Sequence, residues 1–140
     1  MLVATAVLLA ATASPYYDDE GIIHNPRRNR LPAIRSLVIE HRGATSRAEK
    51  EPRPECAAFA LSTSEVRAYF RRSGQVSMSD AHLLDWSPCY TGGRVTFVNG
   101  KRGTWTIQQL RMGSVRMDDG RIIQLYCPSC RSKAYATEPE

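Results

Sequence analysis

The chain has 140 residues, 42% of them hydrophobic, with 19 Lys and Arg against 14 Asp and Glu, a net charge of +5 and four cysteines. That is one ordinary domain in length, and no apolar stretch reaches the roughly 20 residues that a membrane-spanning helix needs. The positive charge is spread: residues 21–55 carry eight Lys and Arg against four acids, and residues 56–140 eleven against seven. With no basic block interleaved with aromatics, neither a nucleic-acid partner nor a membrane span is expected.

Residues 1–13 are apolar from Leu2 to Ala10 and end on Ala11-Thr12-Ala13. They read as a signal-peptide-like leader with a small-residue cleavage site, although no Lys or Arg precedes the apolar run. Residues 14–55 read as a flexible Pro/Arg-rich arm, with Pro15, Pro26, Pro32, Pro52 and Pro54 scattered through it. The exception is residues 35–41, whose β-branched centre Val38-Ile39 can add an edge strand to a sheet. Residues 45–55 have the composition of a linker.

A compact domain is expected over residues 56–134, followed by a C-terminal tail at 135–140. Its first element is a helix: Ser62 stands at the N-cap position with Glu65 three residues on, a capping box, and Leu61 and Val66 flank it as a hydrophobic staple. Val66, Tyr69 and Phe70 form one apolar stripe, and Gly74 ends the helix near Arg72. Asp80, His82 and Asp85 suit turns and caps better than acid–base chemistry, because nothing fixes them near a nucleophile. Trp86 reads as a core plug ahead of the first strand.

From Arg94 the pattern switches to period two. A five-residue loop over residues 99–103 would set Phe97 opposite Trp105 and Val95 opposite Ile107. A three-residue loop at 118–120 would set Val115 opposite Ile123 and Gly113 opposite Leu125. The expected fold class is therefore α+β: one helix packed on a four-stranded antiparallel meander and stapled by disulfides. Its apolar face holds Val95, Phe97, Trp105, Ile107, Val115, Met117, Ile123 and Leu125. On the other, mostly polar face, Arg116, Ile122 and Tyr126 are the candidate interaction surface, being residue types that anchor interfaces.

Cys56, Cys89, Cys127 and Cys130 fit best as two structural disulfides in an oxidising compartment, each contributing roughly 2–4 kcal/mol. The favoured pairing ties Cys89 to one member of the Cys127/Cys130 pair and Cys56 to the other. Two alternatives use the same sulfurs. One is a thiol–disulfide oxidoreductase working through Cys127 and Cys130, whose C-x-x-C spacing can lower a thiol pKa; the other is a Cys-liganded zinc domain with His82 as a spare ligand.

Residues Phe59–Ser62, Glu65–Phe70, Leu84–Cys89, Trp105–Ile107 and Tyr126–Cys130 form a pattern, LDWSPC followed by YCPxC, that resembles small exported bacterial proteins of uncharacterised role. The resemblance covers about residues 56–130 and implies export but no site or activity. The reading that follows is a non-enzymatic, periplasmic or secreted binding module for a protein partner, of the inhibitor or immunity type, with no catalytic residues, cofactor or metal.

Overall fold

The computed structural model describes residues 16–17, 23–24 and 26–135; the leader expected at 1–13 lies outside them. Ahead of the main body, β1 (Tyr16–Tyr17) pairs antiparallel with β2 (Ile23–His24). The body is one seven-stranded sheet, antiparallel throughout, in the order β3-β5-β9-β8-β7-β6-β4. Its strands are β3 (Arg27–Arg28), β4 (Ile34–Thr45), β5 (Gly74–Val76), β6 (Cys89–Phe97), β7 (Arg102–Gln108), β8 (Met112–Met117) and β9 (Ile122–Tyr126). Two helices accompany it, α1 (Thr63–Arg72) and the single-turn α2 (Met78–Ala81). This corrects the expectation of one helix on a four-stranded meander. The stretch read as an arm supplies both edge strands, β3 and β4, so the sheet draws on chain well upstream of Cys56.

α1 forms where its caps require it. The Ser62 hydroxyl accepts the Glu65 N–H at 3.2 Å, and the Glu65 carboxylate accepts the Ser62 N–H at 3.1 Å. Val66, Tyr69 and Phe70 are buried on the inner face of the sheet, with the Phe70 ring edge-on to Trp105 at 6.0 Å between centroids. α2 begins the same way, Ser77 capping the Asp80 N–H at 3.0 Å. It covers a small second cluster of Val76, Ala81 and Tyr126 on the opposite side of the sheet.

Register on the inner face follows side-chain volume. The β6–β7 pair sets Val95 opposite Gly103, Gly93 opposite Trp105 and Thr91 opposite Ile107, which corrects the expected pairing of Phe97 with Trp105. The Phe97 N–H closes a tighter turn on the Lys101 carbonyl at 2.9 Å, with Gly100 at a φ of 85°. The longer loop would have placed large side chains against large ones. In the register found, Trp105 and Val95 each have a glycine across one strand boundary, which lets a close-packed layer form. The next hairpin has Val115 opposite Ile123 and Gly113 opposite Leu125, with Gly120 at a φ of 93°, the same register the sequence suggests.

The disulfides are Cys56–Cys89 and Cys127–Cys130, with Cα separations of 4.7 and 5.4 Å. This overturns the favoured cross-pairing. After β4, residues Pro54–Ala58 make a 3-10 turn that brings Cys56 back over Cys89, itself paired with Thr45 at the end of β4. β9 lies three strands from β6, about 14 Å at the usual strand spacing, which is far beyond the roughly 6 Å that a disulfide spans. Cys127 therefore closes on its near neighbour in the turn after β9.

The chain does not fray at residue 135. Tyr135, expected in the tail, is 5% exposed, stacks at a tilt on Phe59 and receives the Arg111 guanidinium over its ring at 5.1 Å.

Candidate functional site: the open face of the sheet

The two faces of the sheet differ in what covers them. The inner face is sealed by α1, by Phe59 and Leu61, and by the segment ending at Tyr135. Buried Thr91 secures part of that cover: its hydroxyl donates to the Phe59 carbonyl at 2.7 Å and accepts the Leu61 N–H at 3.4 Å. α2 covers one corner of the outer face, around Tyr126 and Met112.

Elsewhere, among the described residues, the outer face is open to solvent, and between the β-bulges of the β4–β6 pair its register runs unbroken through Leu37–Ile39. One row crosses five strands as Val38, Arg94, Thr104, Arg116 and Ile122. At about 4.8 Å per strand that row is roughly 19 Å long. Its two ends are apolar and exposed, Val38 at 52% and Ile122 at 42%. Arg94 is held at 3.0 Å by Glu40 of β4.

Two adjoining recesses lie on this face. The larger, about 440 Å³, sits over Gly92, where a missing side chain separates Tyr90 from Arg94. The smaller, about 220 Å³, lies between Trp86, Tyr90 and Arg47. Tyr90 stands at their junction with His41 tilted against it, the ring centroids 6.1 Å apart. Trp86, expected as a core plug, is 48% exposed. Its position is nonetheless well fixed, because the Ser87 N–H donates to the Gln108 side chain at 3.0 Å, the Ser87 hydroxyl to Gln109 at 3.2 Å, and the Pro88 carbonyl accepts the Ser46 N–H at 2.7 Å. The indole is an exposed aromatic on an anchored backbone.

Of the surface residues expected from the sequence, Arg116 and Ile122 are exposed neighbours on β8 and β9. Tyr126 is not available beside them. It is 9% exposed, because β5 and α2, absent from the sequence reading, cover it. The sequence missed Trp86 and Tyr90 as a pair, since only the antiparallel return of β4 and β7 shows which side of the sheet they share. Asp80 and His82 sit in and after α2, and no His, Cys, Asp or Glu cluster among the described residues could hold a metal.

The cysteines offer little chemistry. All four are in disulfides, which leaves no thiolate for zinc. Cys127 is fully buried and Cys130 4% exposed, in a turn after a strand instead of at a helix N-terminus, so the sulfurs are shielded from a substrate disulfide. Among the described residues, no helix is long and apolar enough to cross a membrane. No protein-family model, curated protein or solved structure matches the chain.

Proposed function

We propose that the chain is a non-enzymatic, exported binding module that engages a protein partner through the open face of its sheet, centred on Trp86 and Tyr90 and reaching to Arg116 and Ile122. The observation that carries this reading is the exposed Trp86 on an immobilised backbone, beside Tyr90 and Arg47 in one recess. Trp, Tyr and Arg are the residue types that dominate binding energy at protein interfaces, and an indole on an anchored backbone has less freedom to lose on binding than one on a mobile loop. Two disulfides support an oxidising destination, periplasmic or extracellular. An inhibitor or immunity role suits a rigid scaffold that presents a preformed surface.

The test is affinity capture from an envelope extract of the native host, comparing the wild-type chain with Trp86→Ala, Tyr90→Ala and Arg116→Ala, and with Arg121→Ala in the β8–β9 turn as control. A protein retained by wild type and control but lost with Trp86→Ala and Tyr90→Ala supports the surface. Equal retention by all variants eliminates it.

A further inference from the structure

The fold assembles a concentration of positive charge on the side of the molecule formed by β3 and α1. Arg27, Arg28 and Arg30 come from β3 and the chain just after it; Arg67, Arg71 and Arg72 come from α1. Roughly forty residues separate the two groups in sequence. The sheet brings them together because β3 pairs with β5, which leaves the C-terminal end of α1 directly, Arg28 lying opposite Gly74. Asn29 completes the join: its amide donates to the carbonyls of Phe70 at 2.9 Å and Ser73 at 2.6 Å, one in the last turn of the helix and one at its C-cap.

Between these segments lie two adjoining recesses of about 800 and 1260 Å³ that share Arg28, Asn29 and Leu31. The first is lined by Arg28, Arg67, Arg71 and Arg72 and by no carboxylate; the second adds Arg27 and Arg30, with Asp80 as its one acid. Among the described residues, none of the six guanidiniums lies within ion-pair distance of a carboxylate, whereas Arg53, Arg94 and Arg121 all do. Arg71 and Arg72 have a local reason to be there, since cations favour a helix C-terminus. The other four do not, and like charges gathered on one cleft repel unless an anion joins them.

We infer that this cleft is a binding site for a ligand carrying a phosphate or diphosphate group. Every cation lining it is arginine, whose planar fork matches phosphate oxygens two at a time. Four or more guanidiniums, with five N–H donors each, exceed what one carboxylate can accept and suit a multiply charged phosphate. The cleft is separate from the open sheet face, so the inference stands independently of the protein-partner reading.

The experiment is calorimetric titration of the disulfide-intact chain with inorganic pyrophosphate, alongside sedimentation with phosphatidylglycerol or phosphatidylcholine vesicles. Saturable binding of pyrophosphate near one per chain is expected, weakened tenfold or more in Arg28→Gln/Arg67→Gln and unchanged in Arg53→Gln/Arg121→Gln, which removes the same charge from positions that line neither the cleft nor the proposed partner surface. Mass after alkylation and thermal melting confirm that each variant is folded. Vesicle binding confined to phosphatidylglycerol, lost in the cleft variant and displaced by pyrophosphate, identifies a lipid headgroup as the source of the phosphate. Pyrophosphate binding without vesicle binding identifies a soluble ligand. Equal weakening in both double variants would show that bulk charge alone is read and would overturn the site, as would no binding of either probe by the wild-type chain.

Discussion

Tyr69 of α1 rests on Gly113 of β8: a Cβ at Gly113 would stand 2.6 Å from the tyrosine oxygen, which itself donates to the Arg111 carbonyl at 2.9 Å. The helix is thus seated on the sheet through one glycine and pinned by one hydroxyl. Burial and the neighbouring Tyr135 and Tyr126 hold the Tyr69 phenol well above its ordinary pKa, so it stays a neutral donor. Gly113→Ala should be destabilising by about 1–3 kcal/mol, the cost of overpacking a tight core. Tyr69→Phe removes only the hydrogen bond and should cost about 1 kcal/mol. Urea denaturation measures both, and a Gly113→Ala chain as stable as wild type would contradict the seating described.

The two disulfides should differ in value. Cys56–Cys89 closes a loop with a sequence separation of 33, Cys127–Cys130 one of 3. On the chain-entropy account the first contributes about 4 kcal/mol and the second about 2 kcal/mol. Replacing Cys56 and Cys89 together by Ser should lower the denaturation midpoint more than replacing Cys127 and Cys130. Non-reducing peptide mapping checks the pairing directly: any peptide linking Cys89 to Cys127 or Cys130 would refute it.

Acid sensitivity should trace to Glu65. Partial burial pushes its pKa up, but the Ser132 hydroxyl, the Ser62 N–H and the Ser62 hydroxyl together outweigh that and leave it below the ordinary carboxylate value. A depressed folded-state pKa stabilises the fold above the unfolded value, near pH 4.3, and that stabilisation is lost as pH falls through the folded value. Glu65→Gln should therefore cost about 1 kcal/mol at neutral pH, the scale of a capping interaction. The gap between variant and wild type should close as pH drops below about 4. Melting temperatures followed from pH 7 to pH 2.5 give the comparison; a gap that is constant across that range would assign the loss to packing alone.

Much of this structure is local enough to read from sequence. The capping box of α1, its buried stripe and the face assignment of Val95, Phe97, Trp105, Ile107, Val115 and Leu125 depend on neighbours within a few residues. Ser77 and Asp80 repeat the cap spacing of Ser62 and Glu65, a signal that could have revealed α2. What stayed hidden depends on partners far along the chain. Arg27 and Arg28 have no strand-like pattern of their own and become β3 only by pairing with Gln75 and Gly74. The sulfur pairing follows from strand order, which residue spacing does not encode. The open face was legible at Arg116 and Ile122, but Tyr126 needed β5 and α2 to be seen as covered, and Trp86 needed its anchored flanks to be seen as exposed. The charge looked dispersed because its two arginine groups meet only in space.

The join between β3 and α1 depends on Asn29, and its chemistry can be dissected. The amide nitrogen donates to two helix-end carbonyls, while its oxygen accepts the Leu31 N–H at 3.2 Å. Asn29→Ala deletes these bonds, together with a longer one from the amide to the Ser73 hydroxyl at 3.4 Å, and should cost about 1–3 kcal/mol, since carbonyls at a helix C-terminus are left unpaired. Asn29→Leu keeps the approximate size but offers neither donor nor acceptor and adds no charge among the neighbouring arginines, so the same carbonyls stay unpaired. It should therefore be no less destabilising than Ala at neutral pH. Hydrogen exchange adds a spatial readout. The Gly74–Val76 amides and the end of α1 should lose protection in both variants, while β6 to β8 keep theirs. An Asn29→Leu chain that outlasts Asn29→Ala at pH 7 would mean that side-chain volume, not hydrogen bonding, holds the edge strand to the helix.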